Sequence, residues 1–215
     1  MARPAKKTAS ASVREQILAS AKRLFAEQGR EGVSVRDIVN DAGVNVSLVS
    51  YYFGGKDELY RECLSQFGSR NLVLARECLV LPADSAEFLV RLRLYIGRIF
   101  ESHLIDPDMY RIVDREIEQN RPEFHDLVQS IYVEVFMTKV KFFEHARESG
   151  ICRKETDAHV LASVVQGFLR SELRIDRIRK EMIGASLQDS AYRSKMIDLF
   201  VDLLTRGALV HDSKR

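Results

Sequence analysis

The segment GVNVSLVSYYFGGK, residues 43–56, sets three aromatic side chains in a row beside small and hydroxylated ones. On a helix, Val49 and Phe53 stand four apart and share the side that packs. The other side presents Val46, Ser47, Leu48, Ser50, Tyr51 and Tyr52. Such a surface suits the major groove of double-stranded DNA: small residues admit close approach, and hydroxyls reach base edges or phosphates. Phe53 then serves the core, while the phenols of Tyr51 and Tyr52 fall on flanking phosphates. Lys56, just inside the next helix, adds a cation on the same side.

Other chemistry finds less support. The five histidines show no HxxxH or Cys/His spacing, so no metal site is expected. No Ser/His/Asp set, glycine-rich phosphate loop or paired carboxylates stand out, so neither an enzyme nor a bound cofactor is expected. Cys63, Cys78 and Cys152 are scattered and form no CxxC, which points to buried reduced thiols.

The elements that must position the aromatic run can be read from caps and periodicity. Ser12 and Glu15 make an S-x-x-E box that predicts a helix from about Val13, ending at Gly29. Ser34 and Asp37 cap a second helix of about eight residues, terminated by Gly43. Asn45 caps a third, through Val46 to about Tyr52, and a fourth runs from near Lys56 to about Arg76. Val35, Ile38, Val39, Gly43, Val44 and Val49 together have the spacing of a helix-turn-helix, with Gly43 in the left-handed turn. Further helices are expected over 85–104, 106–120, 122–149, 157–178 and 191–209. With four prolines, eleven glycines and no strand signal, the fold class is all-α.

Charge adds a modest hint. Residues 1–70 carry 11 Lys or Arg against 8 Asp or Glu, while the remainder carries 22 against 23. The surplus lies mainly in Arg3, Lys6 and Lys7, a short arm that is either a solvated end or, as the second reading, a phosphate-seeking arm. No apolar run approaches the roughly 18 residues of a membrane span, and the N-terminus lacks the apolar stretch of a secretory signal. A cytoplasmic protein without membrane contact is expected.

Residues 14–64, REQILASAKRLFAEQGREGVSVRDIVNDAGVNVSLVSYYFGGKDELYRECL, resemble the N-terminal domain of TetR-family transcriptional regulators in spacing, caps, Gly29, Gly43 and YYFGGKDELY. The resemblance implies an all-α homodimer with a helix-turn-helix at each N-terminus and a larger C-terminal domain that binds a small effector and dimerises. The expected divisions are a flexible basic arm (1–11), the helix-turn-helix domain (12–55), a connecting helix (56–76) and the effector-binding and dimerisation domain (77–210). DNA contacts are implied at Asn45, Val46 and Ser47, followed by Leu48, Ser50, Tyr51, Tyr52 and Lys56. The start of the preceding helix, Ser34, Val35 and Arg36, adds to them. Where this chain has Val46, Leu48 and Ser50, the family often has a basic, a small polar and a tyrosine residue. Val46 and Leu48 then suit thymine methyls, with more of the preference coming from DNA shape.

In the C-terminal two-thirds only the apolar faces speak. The resemblance implies an effector pocket among helices 85–104, 106–120 and 122–149, for a largely apolar small molecule. Candidates to line it are Phe88, Leu92, Tyr95, Ile99, His103, Met109, Val113, Glu116, Leu127, Ile131, Tyr132 and Phe136. For Glu116, a salt bridge to Arg111, Arg115 or Arg170 competes with that role. The last two helices carry Leu161, Val165, Phe168, Leu169, Met196, Leu199, Phe200, Leu203 and Leu204, more than one small domain edge buries. They are the candidate dimer interface. The function expected is a ligand-responsive repressor released from an inverted-repeat operator by its effector. The alternative is an effector-independent DNA-organising protein on the same scaffold.

Overall fold

The computed structural model describes residues 5–119 and 121–209, with side chains from Val13 onward except those of Val128 and Ile131. Arg3 of the expected arm lies outside the described residues, as does the Ile131 side chain. The described residues form nine α-helices and no strand. They are α1 (Ala5–Gln28), α2 (Val35–Ala42), α3 (Ser47–Phe53), α4 (Lys56–Cys78), α5 (Ser85–Ile105), α6 (Pro107–Gln119), α7 (Pro122–Glu148), α8 (Ala158–Ile183) and α9 (Ser190–Ala208).

Most boundaries follow from local chemistry. Ser34 and Asp37 form a reciprocal capping box at α2, and Asp157 and Asp189 each accept two backbone N–H groups at the starts of α8 and α9. The expected start at Val13 is corrected: α1 begins at Ala5, so residues 5–11 are helical rather than an arm. Ala5, Lys6, Lys7, Ala9 and Ala11 are good helix formers with no Gly or Pro among them, so the Ser12–Glu15 pattern falls inside the helix. Helix α8 also runs five residues beyond its expected end, to a left-handed Gly184.

The chain divides into two compact units. The first comprises Met1–Ser69 and Asp106–Ser130, and the second comprises Arg70–Ile105 and Ile131–Arg215. Residues 106–130, expected within the effector-binding domain, therefore pack with the helix-turn-helix. The reason is a set of polar ties within the first unit. Lys22 pairs with Asp106 at 3.1 Å, and Arg115 donates to the carbonyls of Phe25 (2.9 Å) and Ala26 (3.1 Å). Those carbonyls belong to the last turn of α1, where Phe25 O also accepts from the Gly29 N–H at 2.9 Å and Arg115 adds a second donor. Gly29 ends the helix at φ +74°, and a Cβ there would sit 3.1 Å from the Arg115 guanidinium. Any side chain at this position meets both backbone strain and a displaced arginine.

The core of the first unit centres on Phe25 and Tyr60, edge to face at 5.0 Å, with Phe124 against Tyr60 at 4.9 Å. Tyr60 donates to buried Glu116 at 2.8 Å, and Arg121 closes on the same carboxylate at 2.6 Å. In the second unit Phe88 stacks on Phe142 at 5.0 Å, and α5 packs against α8 and α9. Among the described residues no helix is long and apolar enough to cross a membrane.

Candidate nucleic-acid interface

The turn between α2 and α3 is built by Gly43, at φ +65°, whose N–H caps α2 while Val44 donates to Val39 O at 3.0 Å. No atom lies within 4 Å of a Cβ placed on Gly43, so its requirement is conformational, not steric. The Asn45 side-chain oxygen accepts from both the Ser47 N–H and the Ser47 hydroxyl, each at 2.9 Å. This fixes the first turn of α3 and presets the Ser47 hydroxyl. Val49 and Phe53 are buried, and Arg14 lies 4.9 Å over the Phe53 ring. Val46 is 51% and Tyr51 78% exposed, which marks their side as uncommitted within the chain. Asn45, Ser47 and Ser50 are exposed with them, and Leu48 and Tyr52 are half-buried. Tyr51 and Tyr52 meet edge to face at 4.9 Å, so each limits the other's rotation.

The basic side of this surface differs from the expectation. Lys56 donates to the carbonyls of Arg30 (3.1 Å) and Val33 (3.0 Å) in the turn between α1 and α2. Its ammonium thus braces that turn and is not a free cation. Arg36 is exposed at the start of α2 and pairs with no carboxylate among the described residues. Val35 beside it is half-buried. The Ser34 hydroxyl is held by Asp37 at 2.6 Å, and those hydrogen bonds keep the Asp37 carboxyl below its usual range.

The expected pocket residues are divided between the two units. Phe88, Leu92, Tyr95, Ile99, His103, Tyr132 and Phe136 belong to the second unit, whereas Met109, Val113, Glu116 and Leu127 belong to the first. Met109 and Val113 are buried on α6, which packs on α1. The expected partner of Glu116 is corrected: its carboxylate is taken up by Tyr60 and by Arg121, not by Arg111, Arg115 or Arg170. Burial first, and then Glu116, push the Tyr60 phenol pKa up.

Sequence periodicity missed Lys139. It is 1% exposed, donates to Gln166 Oε1 at 2.6 Å, and lies about 6 Å from the rings of Tyr95 and Phe136. Burial pushes its ammonium down to about 8. The signal was there: Lys139 interrupts the stripe of Tyr132, Val135, Phe136, Val140 and Phe143 on α7.

Of the interface candidates, Val165 and Leu169 are buried within their own chain, because α5 covers that side of α8. Phe168 stacks face to face on Phe200 at 3.7 Å. Leu161, Met196 and Leu204 are half-buried. Leu199 and Leu203 are 56% and 63% exposed on α9, leaving an apolar face uncovered. The three cysteines are free and buried, and burial pushes the Cys63 thiol up to about 12 and that of Cys152 to about 11. Neither is a ready nucleophile near neutral pH.

An N-terminal helix-turn-helix that exposes hydroxyls, a phenol and an arginine has the surface that a DNA-binding domain requires. Residues 17–63 match the model of the bacterial regulatory proteins of the tetR family. A probable HTH-type transcriptional regulator of Bacillus subtilis, YttP, is 45% identical over 56 residues, 26% of this chain and 27% of that protein. The HTH-type transcriptional repressor Rv3405c of Mycobacterium tuberculosis is 27% identical over 86% of this chain and 90% of its own length. The fold is similar to that of FadR from Bacillus subtilis, solved in complex with stearoyl-CoA. That likeness has a TM-score of 0.72 at 18% identity, over 92% of this chain and 100% of that one. Residues 17–63 thus form a helix-turn-helix of the kind found in the bacterial regulatory proteins of the tetR family.

Proposed function

We propose that the protein is a homodimeric repressor that leaves its operator when a largely apolar small molecule binds. The observation that carries the DNA-binding half is the two-sided character of α3. Val49 and Phe53 are buried, while Ser47, Ser50 and Tyr51 on the other side are exposed. The repressor named among the relatives and the acyl compound held by the FadR structure support repression and an apolar effector. In this reading Tyr51, Tyr52 and Arg36 hold phosphates, Ser34 and Val35 border the groove, and Asn45 presets Ser47. Val46, Ser47, Leu48 and Ser50 face base edges. A ligand acts only by preferring one of two arrangements of the recognition helices.

The test separates positioning from reading. Tyr51→Phe and Tyr52→Phe each weaken binding about three- to tenfold on all DNA sequences alike, as the loss of one hydrogen bond predicts. Arg36→Ala lowers the salt dependence by about one unit of slope. Val46→Thr or Ser47→Ala shifts base preference instead, while Lys56→Ala loosens the fold and leaves that slope in place. Equal effects of all these changes on every sequence would remove α3 from the groove.

Assembly has its own readout. Sedimentation at micromolar concentration gives a mass near twice 24.6 kDa. Leu199→Glu with Leu203→Glu gives a folded monomer, because both side chains are exposed in the single chain and are lost only from the interface. A monomeric unmodified protein overturns the assignment to α8 and α9.

A further inference from the structure

Two cations in the second unit are buried, and they are treated differently. Arg179 is paired with Glu172 and, at 3.3 Å, with Asp176. Lys139 has no carboxylate partner among the described residues, and its single hydrogen bond goes to the neutral amide of Gln166. An ammonium has three donors, so two lack an acceptor, in surroundings formed by the rings of Tyr95 and Phe136. Burying a charge this way is costly, and a methionine would fill the same space without the penalty. Further along α5, Ser102 lies seven residues from Tyr95 and therefore on the same face. Its hydroxyl is buried and also finds no partner among the described residues. The Lys139 ammonium and the Ser102 hydroxyl thus keep unused hydrogen-bonding capacity inside the second unit. Phe136 and Gln166 beside the ammonium are half-buried, so access to it passes side chains that can rotate.

We infer that the interior of the second unit takes an amphipathic carboxylic acid, with its carboxylate on Lys139 Nζ and its apolar body against Tyr95 and Phe136. This rests on the ligand-responsive reading above and names the class of ligand. A full negative charge is required, since a neutral ester, thioester or alcohol leaves the ammonium uncompensated. Burial also holds the empty site's ammonium close to neutrality in the weakly alkaline range, and a bound carboxylate restores its charge.

The test is calorimetric titration of the full-length protein with straight-chain carboxylates from hexanoate to hexadecanoate and with naphthoate. The matching alcohols and uncharged N-acetylcysteamine thioesters are titrated in parallel. At least one carboxylate binds tenfold or more tightly than its alcohol and its thioester. Lys139→Met abolishes that preference, keeps the alcohol's affinity, and raises the thermal midpoint of the ligand-free protein near neutral pH. The last gain shrinks as pH rises from about 8 towards the ordinary lysine range, because the native lysine then no longer has to shed a proton on folding. The inference is overturned if no carboxylate in the series binds, if an alcohol or thioester binds as tightly, or if the preference survives Lys139→Met. DNA binding is read separately. A carboxylate that binds through Lys139 without changing DNA affinity keeps this inference and sinks the ligand-released repressor. A neutral compound that releases DNA, with no carboxylate bound, does the reverse.

Discussion

Replacing Arg121 by methionine lowers the unfolding free energy by about 3–5 kcal/mol, the usual cost of leaving one member of a buried ion pair behind. The partner left behind is Glu116, whose side chain is 1% exposed against 17% for Arg121. Without Arg121 the carboxylate keeps the Tyr60 hydroxyl as its hydrogen-bond donor among the described residues. The effect reaches the helix-turn-helix, because Tyr60 is packed against Phe25 of α1 and Phe124 of α7. Adding Glu116→Leu to Arg121→Met removes the stranded charge and recovers most of the loss. Glu116→Leu alone costs less than Arg121→Met, since the arginine left behind is nearer to water. Urea denaturation of the four proteins at one pH gives the cycle. Additive effects, with no recovery in the double variant, show that the pair is not a unit.

The second large effect is geometric. Two recognition helices carried by a two-fold dimer engage one DNA face only when they lie about 34–36 Å apart, one helical turn, or a multiple of it. Inserting about five base pairs between half-sites turns the second to the far side of the duplex. Affinity then falls towards that of one half-site, a loss on the order of 10²–10⁴-fold as the second contact ceases to be intramolecular. An insertion of about ten base pairs recovers part of it. The Leu199→Glu, Leu203→Glu monomer binds every spacing equally and weakly. If the unmodified protein does the same, its heads act independently.

Much of the N-terminal architecture was legible because it is governed by neighbours in sequence. Ser34 and Asp37 are three apart, Gly43 sits where a left-handed residue is needed, and the four-residue step from Val49 to Phe53 identifies the buried side of α3. What escaped was decided by distant partners. Nothing local reveals that Lys56 finds two carbonyls of a turn 23 and 26 residues earlier. Nor does it reveal that Glu116 chooses Arg121 over its own neighbour Arg115. Periodicity also cannot say which of two apolar sides a helix covers with its own chain. Val165 and Leu203 looked alike as a sequence pattern, yet one is buried by α5 and the other is open. The extended α1 shows the same limit from another direction: a Ser and a Glu three apart also fit a helix interior.

The arginine at position 115 bears on how this regulator can be taken apart and rebuilt. Its guanidinium finishes α1 from a helix about ninety residues further along the chain, beside the glycine that ends that helix. A hybrid that transplants only residues 17–63 onto the body of another regulator leaves behind Arg115, Arg121 and Asp106. The last-turn carbonyls of α1 then face whatever the new host provides. The transferable reading head of this protein is a discontinuous module, and a working chimera carries residues 106–130 along with the first 69.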